Sequence, residues 1–175
     1  STRIGAMTAI EVGVLGGDEE LLALAVLQGW AFGFPTPDAR SFLERAGLHE
    51  VLVASEGGRL LGGMLRIQMG QWFGGRSVSL LGVAGVAVAP EARGRKVALS
   101  LMTEALRTAR AAGTALSALY PATITLYRAA GYELAGSRFR FTGECRNLPI
   151  VRGELGVRWI EAADAPIVEE LYTRL

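Results

Sequence analysis

The chain has little cysteine, little net charge and no long apolar run. Cys145 is the one cysteine among 175 residues, so no disulfide can form within the chain and the cysteine content does not indicate an oxidising compartment. Eighteen Lys and Arg against seventeen Asp and Glu leave a formal charge of +1, which argues against a general nucleic-acid or membrane-surface binder. No apolar stretch approaches the roughly 18 to 20 residues of a membrane span, and the first residues lack the basic-then-apolar order of a secretory signal. These absences predict a cytoplasmic protein with no nucleic-acid or membrane partner.

The composition is that of a globular protein, since half of the residues are hydrophobic. The length allows one domain of ordinary size and a modest additional segment, and a core of that size needs neither disulfides nor a metal. We therefore expect no metal site, and we interpret Cys145 as an ordinary buried or half-buried thiol that is not a nucleophile.

The apolar pattern predicts a chain that alternates strands and helices. Asp18 and Thr36 precede two helical patterns and are predicted N-caps. Gly82 and Gly85 interrupt the fourth strand, which indicates a bulge or a close approach of another group, and residues 70–75 are a predicted turn. The predicted strands are residues 10–14, 51–55, 60–69, 77–88, 115–118 and 138–141, and the predicted helices are residues 18–29, 36–46, 97–112 and 123–130.

A second, incomplete pattern of the same kind follows Pro149. Residues 157–160 and 164–175 resemble a strand and a helix, as residues 10–14 and 18–28 do at the start of the chain. One strand and one helix cannot bury their own apolar faces. We therefore expect a first domain over residues 7–148, a linker with the start of a second domain over residues 149–175, and a chain that is a fragment of a longer protein.

The run Val86–Ala98 predicts a site for a phosphate group. It places a strand before a turn and a helix start, where successive N–H groups have no intrahelical acceptor and face the positive end of the helix dipole. Arg93, Arg95 and Lys96 add cationic donors. A solvated basic turn is the alternative on charge alone, and the glycine-bearing strand before the turn favours the phosphate site. The spacing does not fit a P-loop or a dinucleotide-binding loop, which argues against nucleotide hydrolysis and dinucleotide binding.

The segment Arg93–Ala98 resembles the pyrophosphate loop of the GNAT superfamily of acetyltransferases, whose pattern is Q/R-x-x-G-x-G/A between the fourth strand and the third helix. It matches that pattern at the first and sixth positions and departs from it at the fourth, where Lys96 stands in place of glycine. We expect helical φ and ψ angles at Lys96, because a lysine then fits and its N–H still serves the phosphate. The resemblance implies an α/β fold with a mixed, mostly antiparallel sheet, helices on both faces, a splay at the fourth strand, and acetyl-CoA as cofactor.

Other segments resemble the enhanced intracellular survival family of acetyltransferases. They are Gly74–Arg76, Gly82–Pro90, Leu119–Thr123 and Leu126–Glu133. Members of that family have two tandem GNAT domains and a C-terminal sterol-carrier-like domain, and they acetylate amines, including several amines of aminoglycosides. The resemblance implies an N-acetyltransferase that acts on a primary amine of a small molecule or of a lysine, and a homo-oligomer in the full-length protein.

The resemblance also implies roles for individual residues. Val86–Val88 would bind the pantetheine arm through main-chain atoms, and the Val88 N–H would donate to the thioester carbonyl. Tyr127 falls on the family's general acid, which protonates the leaving thiolate, while Tyr120 and Tyr132 are alternatives close in sequence. The implied cofactor contacts are Val86, Ala87, Val88, Arg93, Gly94, Arg95, Lys96, Val97, Ala98, Leu99, Ala122 and Thr123.

The sequence assigns no general base, and it indicates the acceptor site only through a group of aromatic residues. The resembled family uses its C-terminal carboxylate as the base, a role that cannot pass to Leu175 at the start of the expected second domain. His49 and Glu50 are nominal substitutes, and water can relay the proton instead. Aromatic residues could line an amine-binding cleft, but core or interface packing is the favoured role for most of them. These residues are Trp30, Phe32, Phe34, Trp72 and Phe73.

Two other functions are alternatives at this point. A catalytically silent acyl-CoA-binding or subunit-interface module is favoured by the Lys96 departure and by the missing C-terminal carboxylate, whereas Tyr127 argues against it. An RNA-binding surface could use the basic residues near the loop, but the near-neutral net charge argues against it. Those residues are Arg93, Arg95, Lys96, Arg107 and Arg110.

Overall fold

A computed structural model describes residues 9–147 and 156–174. These residues divide into two units, residues 9–71 with 77–132 and residues 72–76 with 133–147 and 156–174. The strands are β1 (Glu11–Val14), β2 (Val51–Glu56), β3 (Arg59–Phe73), β4 (Arg76–Val88) and β5 (Leu116–Leu119). The helices are α1 (Asp18–Phe32), α2 (Thr36–Ala46), α3 (Val97–Ala111), α4 (Ile124–Ala129) and α5 (Ala165–Thr173).

The five strands form one mixed sheet in the order β1-β2-β3-β4-β5. β1 with β2 and β2 with β3 are antiparallel pairs. β4 and β5 are parallel, and the crossover between them is α3. A parallel pair requires such a crossover because the chain has to return to the starting edge of the sheet. The predicted strands at residues 10–14, 51–55, 60–69, 77–88 and 115–118 are confirmed with small shifts of their ends.

Alternating residues of the central strands fill two cores, one on each face of the sheet. Val51 and Val53 pack with α1 and α2, whereas Leu52 and Ala54 pack with α3 and α4. This alternation is what a pleated strand with both faces covered requires. The full burial of a leucine such as Leu101 on α3 contributes about 1.5–3 kcal/mol relative to exposure. The predicted α/β fold with helices on both faces of a mostly antiparallel sheet is confirmed.

The predicted N-caps are wrong by one residue in both helices. The residue before α1 is Gly17, whose carbonyl accepts from the Leu21 N–H at 3.0 Å, and the residue before α2 is Pro35. Asp18 is thus the first residue of α1, and its carboxylate lies 2.5 Å from the Arg40 guanidinium of α2. This ion pair connects the first turn of α1 with α2.

The hairpin between β3 and β4 is longer than predicted. β3 continues through Gly70 to Phe73, so only Gly74 and Gly75 form the turn that was predicted over residues 70–75. Both turn glycines have positive φ angles, +57° and +76°, which L-residues rarely adopt. Gly70 does not end the strand because its backbone stays extended and lies against Ser77.

Two predicted strands are not formed. Residues 138–141 and 157–160 are irregular, and Phe141, Val157 and Trp159 are 94%, 99% and 93% exposed. Alternating polar and apolar residues form a strand only where a neighbouring strand accepts the main-chain hydrogen bonds and a core covers the apolar side. Among the described residues, neither segment has such a neighbour.

The second unit contains α5 and the segments that precede it. The Asp164 carboxylate accepts from the Glu161 N–H at 2.8 Å and from Arg158 at 2.6 Å, which fixes the start of the helical segment. The predicted helix over residues 164–175 is confirmed to Thr173, while Leu175 lies outside the described residues. A pocket of about 640 Å³ lies in this unit. It is lined by Trp72, Ile160, Glu161, Ala162, Ala165, Val168, Glu169 and Tyr172.

The predicted domain boundary between residues 148 and 149 lies outside the described residues and stays a prediction. In the part of the chain that the structure describes, no helix has the length and apolar character needed to cross a membrane.

Candidate functional site

β4 and β5 pair over only part of their length. Their parallel register runs from Leu80 with Leu116 to Val83 with Leu119. β5 ends there, while β4 continues to Val88. Past Val83, the edge of β4 on the β5 side therefore has no paired strand among the described residues.

One hydrogen bond to β3 sets the direction of the residues at the end of β4. The Ala89 N–H donates to the Leu61 carbonyl at 2.8 Å. Successive residues of a strand direct their main-chain polar groups to opposite edges, so those of Val88 and the carbonyl of Val86 face the side where β5 has ended. Ala87 faces β3 instead. Of the three residues predicted to bind pantetheine through the main chain, two have the required direction.

A kink in β4 precedes these residues. Gly85 has a φ of +60°, and its carbonyl accepts a hydrogen bond from Gln28 Nε2 at 2.7 Å. Gln28 lies on α1 and is only 2% exposed. A Cβ added at Gly85 would lie 2.7 Å from Gln28 Nε2, so both the φ angle and the available space require glycine. The close approach predicted from the strand glycines is confirmed.

The turn between β4 and α3 presents main-chain N–H groups. Gly94 is exposed, has a φ of +77°, and would meet no atom within 4 Å if it carried a Cβ. The Ser100 N–H donates to the Lys96 carbonyl at 2.9 Å as the first helical hydrogen bond of α3. The N–H groups of residues 97–99 therefore have no intrahelical acceptor. Val97 is 1% exposed, so its side chain belongs to the core and only its N–H can serve a ligand.

Lys96 has a left-handed conformation, with φ 63° and ψ 18°, and the helical angles expected for it are wrong. Among the described residues it is the one non-glycine residue with a positive φ. Arg93 is still extended, and the left-handed residue turns the chain from that segment into α3. An L-residue in this conformation costs about 1–2 kcal/mol, which explains why glycine is usual at this position of the pattern.

Two ion pairs connect this loop with the turn between β2 and β3, and the loop supplies the arginine in one pair and the glutamate in the other. Arg95 Nη2 lies 2.6 Å from Glu56 Oε1, and Arg59 pairs with Glu91. The hydrogen bond to Glu56 raises the pKa of the Arg95 guanidinium above its ordinary value. Arg95, predicted as a phosphate donor, is thus engaged by a carboxylate, whereas the other two basic side chains of the loop are exposed.

Tyr127 lies in the core beside the splayed strands. It is 8% exposed and belongs to the same core as Val83 and Ala89. Its ring meets the Tyr132 ring edge to face, with centroids 6.3 Å apart and an interplanar angle of 73°. Burial, and secondarily the charge of an ionised Tyr132, raise the pKa of Tyr127 above its ordinary value. The hydroxyl therefore stays protonated at neutral pH, as a proton donor requires.

The two alternative tyrosines have different surroundings. The Tyr132 hydroxyl lies 2.5 Å from Ser117 Oγ, and the Ser117 hydroxyl donates to the Leu81 carbonyl at 2.9 Å. Burial raises the pKa of Tyr132, while the hydrogen bond with Ser117 lowers it. Tyr120 is 80% exposed. Among the three, Tyr127 combines burial with a hydroxyl that makes no hydrogen bond within the described residues.

The remaining predicted cofactor contacts lie at one end of the sheet. Ala98 and Leu99 are half-buried in the first turn of α3, after β4, while Ala122 and Thr123 are exposed between β5 and α4. β4 and β5 are parallel, so the segments that follow them leave the sheet at the same end, where both strands have their carboxyl termini. The fold thus brings together two segments that are more than twenty residues apart in sequence.

His49 and Glu50, the nominal bases, lie just before β2, at the end of the β2–β3 pair that is far from the turn between these strands. The side chain of His49 is 80% exposed, and Glu50 Oε2 lies 3.2 Å from Arg66 Nε. Arg66 follows Leu65, which pairs with Val51 at the start of β2. The contact of β3 with the residue after β4 is at Leu61, nearer the turn between β2 and β3. The carboxylate of Glu50 is therefore engaged by an arginine away from Val88.

An exposed aromatic group lies at the end of α1 and in the loop after it. Trp30, Phe32 and Phe34 are 78%, 43% and 55% exposed, so core packing is wrong for these three. The Phe32 and Phe34 rings stack with centroids 6.1 Å apart. Phe32 lies one helical turn after Gln28, so the group begins beside the kink in β4. The other two aromatic residues of that prediction, Trp72 and Phe73, belong to the second unit.

Two residues of this site were not predicted from the sequence. Gln28 occupies the buried stripe of α1 with Leu21, Leu24 and Ala25, and a polar residue at an apolar position was the available signal. Glu56 gave no signal, because a carboxylate beside a hairpin turn is common and its partner Arg95 is distant in sequence.

Comparisons with known proteins agree with this geometry. Residues 16–135 match the sequence model described as an acetyltransferase (GNAT) domain. A GCN5-related N-acetyltransferase from Anabaena variabilis is 33% identical with a TM-score of 0.69, over 73% of this chain and 33% of that chain. One from Kribbella flavida is 31% identical with a TM-score of 0.59, over 70% of this chain and 32% of that chain. This chain thus spans about a third of the length of these relatives.

A more distant structure shares the fold. Eis1 from Mycobacterium abscessus is 23% identical with a TM-score of 0.63, over 73% of this chain and 32% of that chain. No curated protein sequence matches the chain.

GNAT acetyltransferases use acetyl-CoA, and the described residues fit it. The unpaired edge at Val86 and Val88 suits the amide-bearing pantetheine arm. The N–H groups of residues 97–99, with open space over Gly94, suit a pyrophosphate. The family match over more than half of the residues, the splayed sheet and this fit lead to one conclusion: the chain belongs to the GNAT family of acetyltransferases.

Proposed function

We propose that this chain provides the transfer site of an acetyl-CoA-dependent N-acetyltransferase whose acceptor is a primary amine of a small molecule or of a lysine. The observation that carries the proposal is the unpaired edge of β4 at Val88, in the same core region as the buried, protonated Tyr127. An acyl transfer of this kind needs a hydrogen-bond donor for a carbonyl oxygen and a proton donor for a leaving sulfur.

The cofactor is held at two places. Val86 and Val88 bind the pantetheine arm through main-chain groups on the free edge of β4. The N–H groups of residues 97–99 bind the pyrophosphate, assisted by the exposed cations Arg93 and Lys96. Ala122 and Thr123 border the arm from the segment after β5. Arg95 acts on this site by holding the loop against Glu56.

The chain contributes two groups to the chemistry. When bound, acetyl-CoA supplies an acetyl thioester that a neutral amine can attack. The Val88 N–H donates a hydrogen bond where negative charge develops on the carbonyl oxygen, and such a donor is worth about 10²–10³ in rate. The Tyr127 hydroxyl donates its proton to the departing sulfur. The proton released by the attacking amine passes to water, because His49 and Glu50 lie at the start of β2, away from Val88.

The aromatic group at the end of α1 is the proposed boundary of the acceptor cleft. Trp30, Phe32 and Phe34 are exposed and begin one turn from the kink in β4. Aromatic faces attract ammonium groups by cation–π interaction, worth about 0.5–1 kcal/mol at exposed sites. This surface therefore favours an acceptor that carries several amines, such as an aminoglycoside, or a lysine side chain.

A catalytically silent acyl-CoA-binding module is the second candidate, and the positive φ of Lys96 is the observation that favours it. The backbone cost at this position weakens the loop relative to one with glycine. A thiol-release assay with acetyl-CoA and a panel of aminoglycosides and lysine peptides separates the two candidates. Binding of acetyl-CoA without amine-dependent release of the thiol would support the silent module and contradict the transferase.

An RNA-binding surface is disfavoured by two ion pairs. Arg95 is bound to Glu56, and Arg107 is bound to Glu104 at 2.7 Å. The proposed basic cluster is thus partly neutralised by its own neighbours, which reduces the attraction for a phosphate backbone.

The substitution Tyr127→Phe tests the proposed acid. Phenylalanine keeps the edge-to-face contact with Tyr132 and removes the proton. We expect kcat to fall by about 10-fold to 10⁴-fold, with the dissociation constant of acetyl-CoA nearly unchanged by calorimetry. Tyr120→Phe is the matched control, because that tyrosine is exposed and has no role in the proposal. Unchanged turnover in Tyr127→Phe would remove this residue from the mechanism.

A further inference from the structure

Gln28 is a buried amide at a position where α1 otherwise carries apolar residues. Leu21, Leu24 and Ala25 on the same stripe are 1%, 0% and 0% exposed, and Gln28 is 2% exposed. Leu24 packs against the sheet at Gly63. Burial of a side-chain amide opposes folding unless the amide is hydrogen-bonded. The position therefore requires a partner, and the described structure supplies one.

The partner is a carbonyl that the kink in β4 directs toward α1. Gly85 has a φ of +60°, and its carbonyl oxygen accepts from Gln28 Nε2 at 2.7 Å. The bond joins residues 57 positions apart in sequence. The hydrogen bond thus satisfies both a buried side chain and a main-chain group displaced by the kink.

This bond also fixes the orientation of the next N–H group. The Gly85 carbonyl and the Val86 N–H belong to one planar peptide unit, and in a trans peptide they point in opposite directions. No cis peptide occurs among the described residues. A donor that holds the carbonyl toward α1 therefore fixes the rotation of this peptide unit, with the Val86 N–H turned away from α1. The next polar groups along the chain, the Val86 carbonyl and the groups of Val88, face the free edge, so the fixed peptide sets where that edge begins.

We propose that Gln28 is a positioning residue for the pantetheine arm of acetyl-CoA. It holds the peptide unit between Gly85 and Val86 in the orientation that presents the free edge of β4. Gln28 acts through this peptide and does not touch the cofactor. The inference rests on the proposed function of that edge, and it adds a residue on α1, outside the strand and the loop that bind the cofactor.

The substitution Gln28→Met separates a positioning role from a purely structural one. Methionine is close in volume and apolar, so the core stays filled while the donor to Gly85 is lost. We expect the dissociation constant of acetyl-CoA to rise about tenfold. Adenosine 3′,5′-bisphosphate, which has no pantetheine arm, should bind Gln28→Met and the wild-type chain within about twofold of each other. Both ligands are measured by calorimetry well below the melting temperature.

The substitution Gln28→Glu gives a second, independent measurement. Burial raises the pKa of a carboxyl at this position, and only its protonated form can donate to the Gly85 carbonyl. The acetyl-CoA affinity of this variant, divided by that of the wild-type chain at the same pH, should be near one at about pH 5 and should fall toward about pH 8. Circular dichroism at each pH confirms that the variant is folded.

Leu21→Met is the matched control, since it perturbs the same buried stripe of α1 without a contact to β4. It should lower the melting temperature and leave acetyl-CoA affinity unchanged. Equal weakening of both ligands by Gln28→Met, or no weakening of either, would overturn the positioning role, as would a pH-independent affinity ratio in Gln28→Glu. Failure of the wild-type chain to bind acetyl-CoA would instead contradict the proposed function.

Discussion

At the scale of single residues, Lys96 shows how a function can require a locally unfavourable conformation. The left-handed backbone turns the extended Arg93 segment into α3, so that the first amides of the helix are left without intrahelical acceptors. A lysine pays about 1–2 kcal/mol for these angles, whereas glycine adopts them freely. In exchange, the chain carries a cation beside the N–H groups that are proposed to bind a pyrophosphate.

Replacement of Lys96 by glycine should therefore stabilise the fold. The gain in the free energy of unfolding is expected to be about 0.5–1 kcal/mol, because relief of the left-handed strain exceeds the larger chain entropy of glycine in the unfolded state. Urea denaturation measures this difference. Lys96→Ala is the control, since it removes the charge and keeps the strain. A glycine variant no more stable than the alanine variant would contradict the conformational explanation.

Residues were predictable from the sequence where a local motif fixes their role, and not where the role depends on a distant partner. Tyr127 and the loop from Arg93 were singled out by motif, and the structure places both at the same end of the sheet. The conformation of Lys96 was wrongly predicted because a φ angle depends on how the loop enters the helix. Gln28 was missed because its partner, Gly85, is 57 positions away.

At the scale of secondary structure elements, the sheet and its four covering helices were predictable, since each follows from hydrophobic periodicity. The exceptions are segments whose periodicity has no neighbour to pair with. Residues 138–141 alternate arginine and phenylalanine, but Phe139 and Phe141 are 77% and 94% exposed. The extent of the β4–β5 pairing also depends on tertiary structure, because the register ends at Leu119, where β5 ends, while β4 continues to Val88.

The tyrosine pair that joins α4 to the sheet should make the free energy of unfolding fall as the pH rises in the alkaline range. Burial raises the pKa values of both Tyr127 and Tyr132 in the folded chain. Above about pH 10 the unfolded chain therefore releases protons that the folded chain retains, and stability falls as the pH rises further. Melting temperatures between about pH 9 and about pH 11 measure the slope. The double variant Tyr127→Phe, Tyr132→Phe should show a shallower decline, and an equal slope would contradict this source of the effect.

At the scale of the whole molecule, the family match and the candidate site lie in one part of the chain. The match ends at residue 135, and both hydrophobic cores lie before residue 133. The matched part of this chain covers only about a third of the length of the solved relatives. The sequence pattern predicts that residues 149–175 begin a second domain, and we propose the same. The exposed side chains of Val157 and Trp159 support this proposal, since nothing in the described residues covers them.

A shortened chain of residues 1–135 should therefore keep the cofactor site. We expect its dissociation constant for acetyl-CoA to lie within about threefold of that of the 175-residue chain, which is less than 1 kcal/mol in binding free energy. Calorimetry on both chains makes the comparison, with circular dichroism to confirm that both are folded. A much weaker shortened chain would show that residues 136–175 contribute to the site.

The incomplete pairing of β4 and β5 also affects how the molecule behaves toward other chains. A free strand edge at the rim of a sheet is open to strands of other molecules and promotes aggregation. Here the free stretch is short, because β5 covers β4 as far as Val83 and the strand ends at Val88. A foreign strand would form only a few main-chain hydrogen bonds there, whereas a ligand arm with two amides needs no more than that. The edge therefore offers backbone hydrogen bonds to a thin ligand and too little length for a stable pairing with a foreign β-strand.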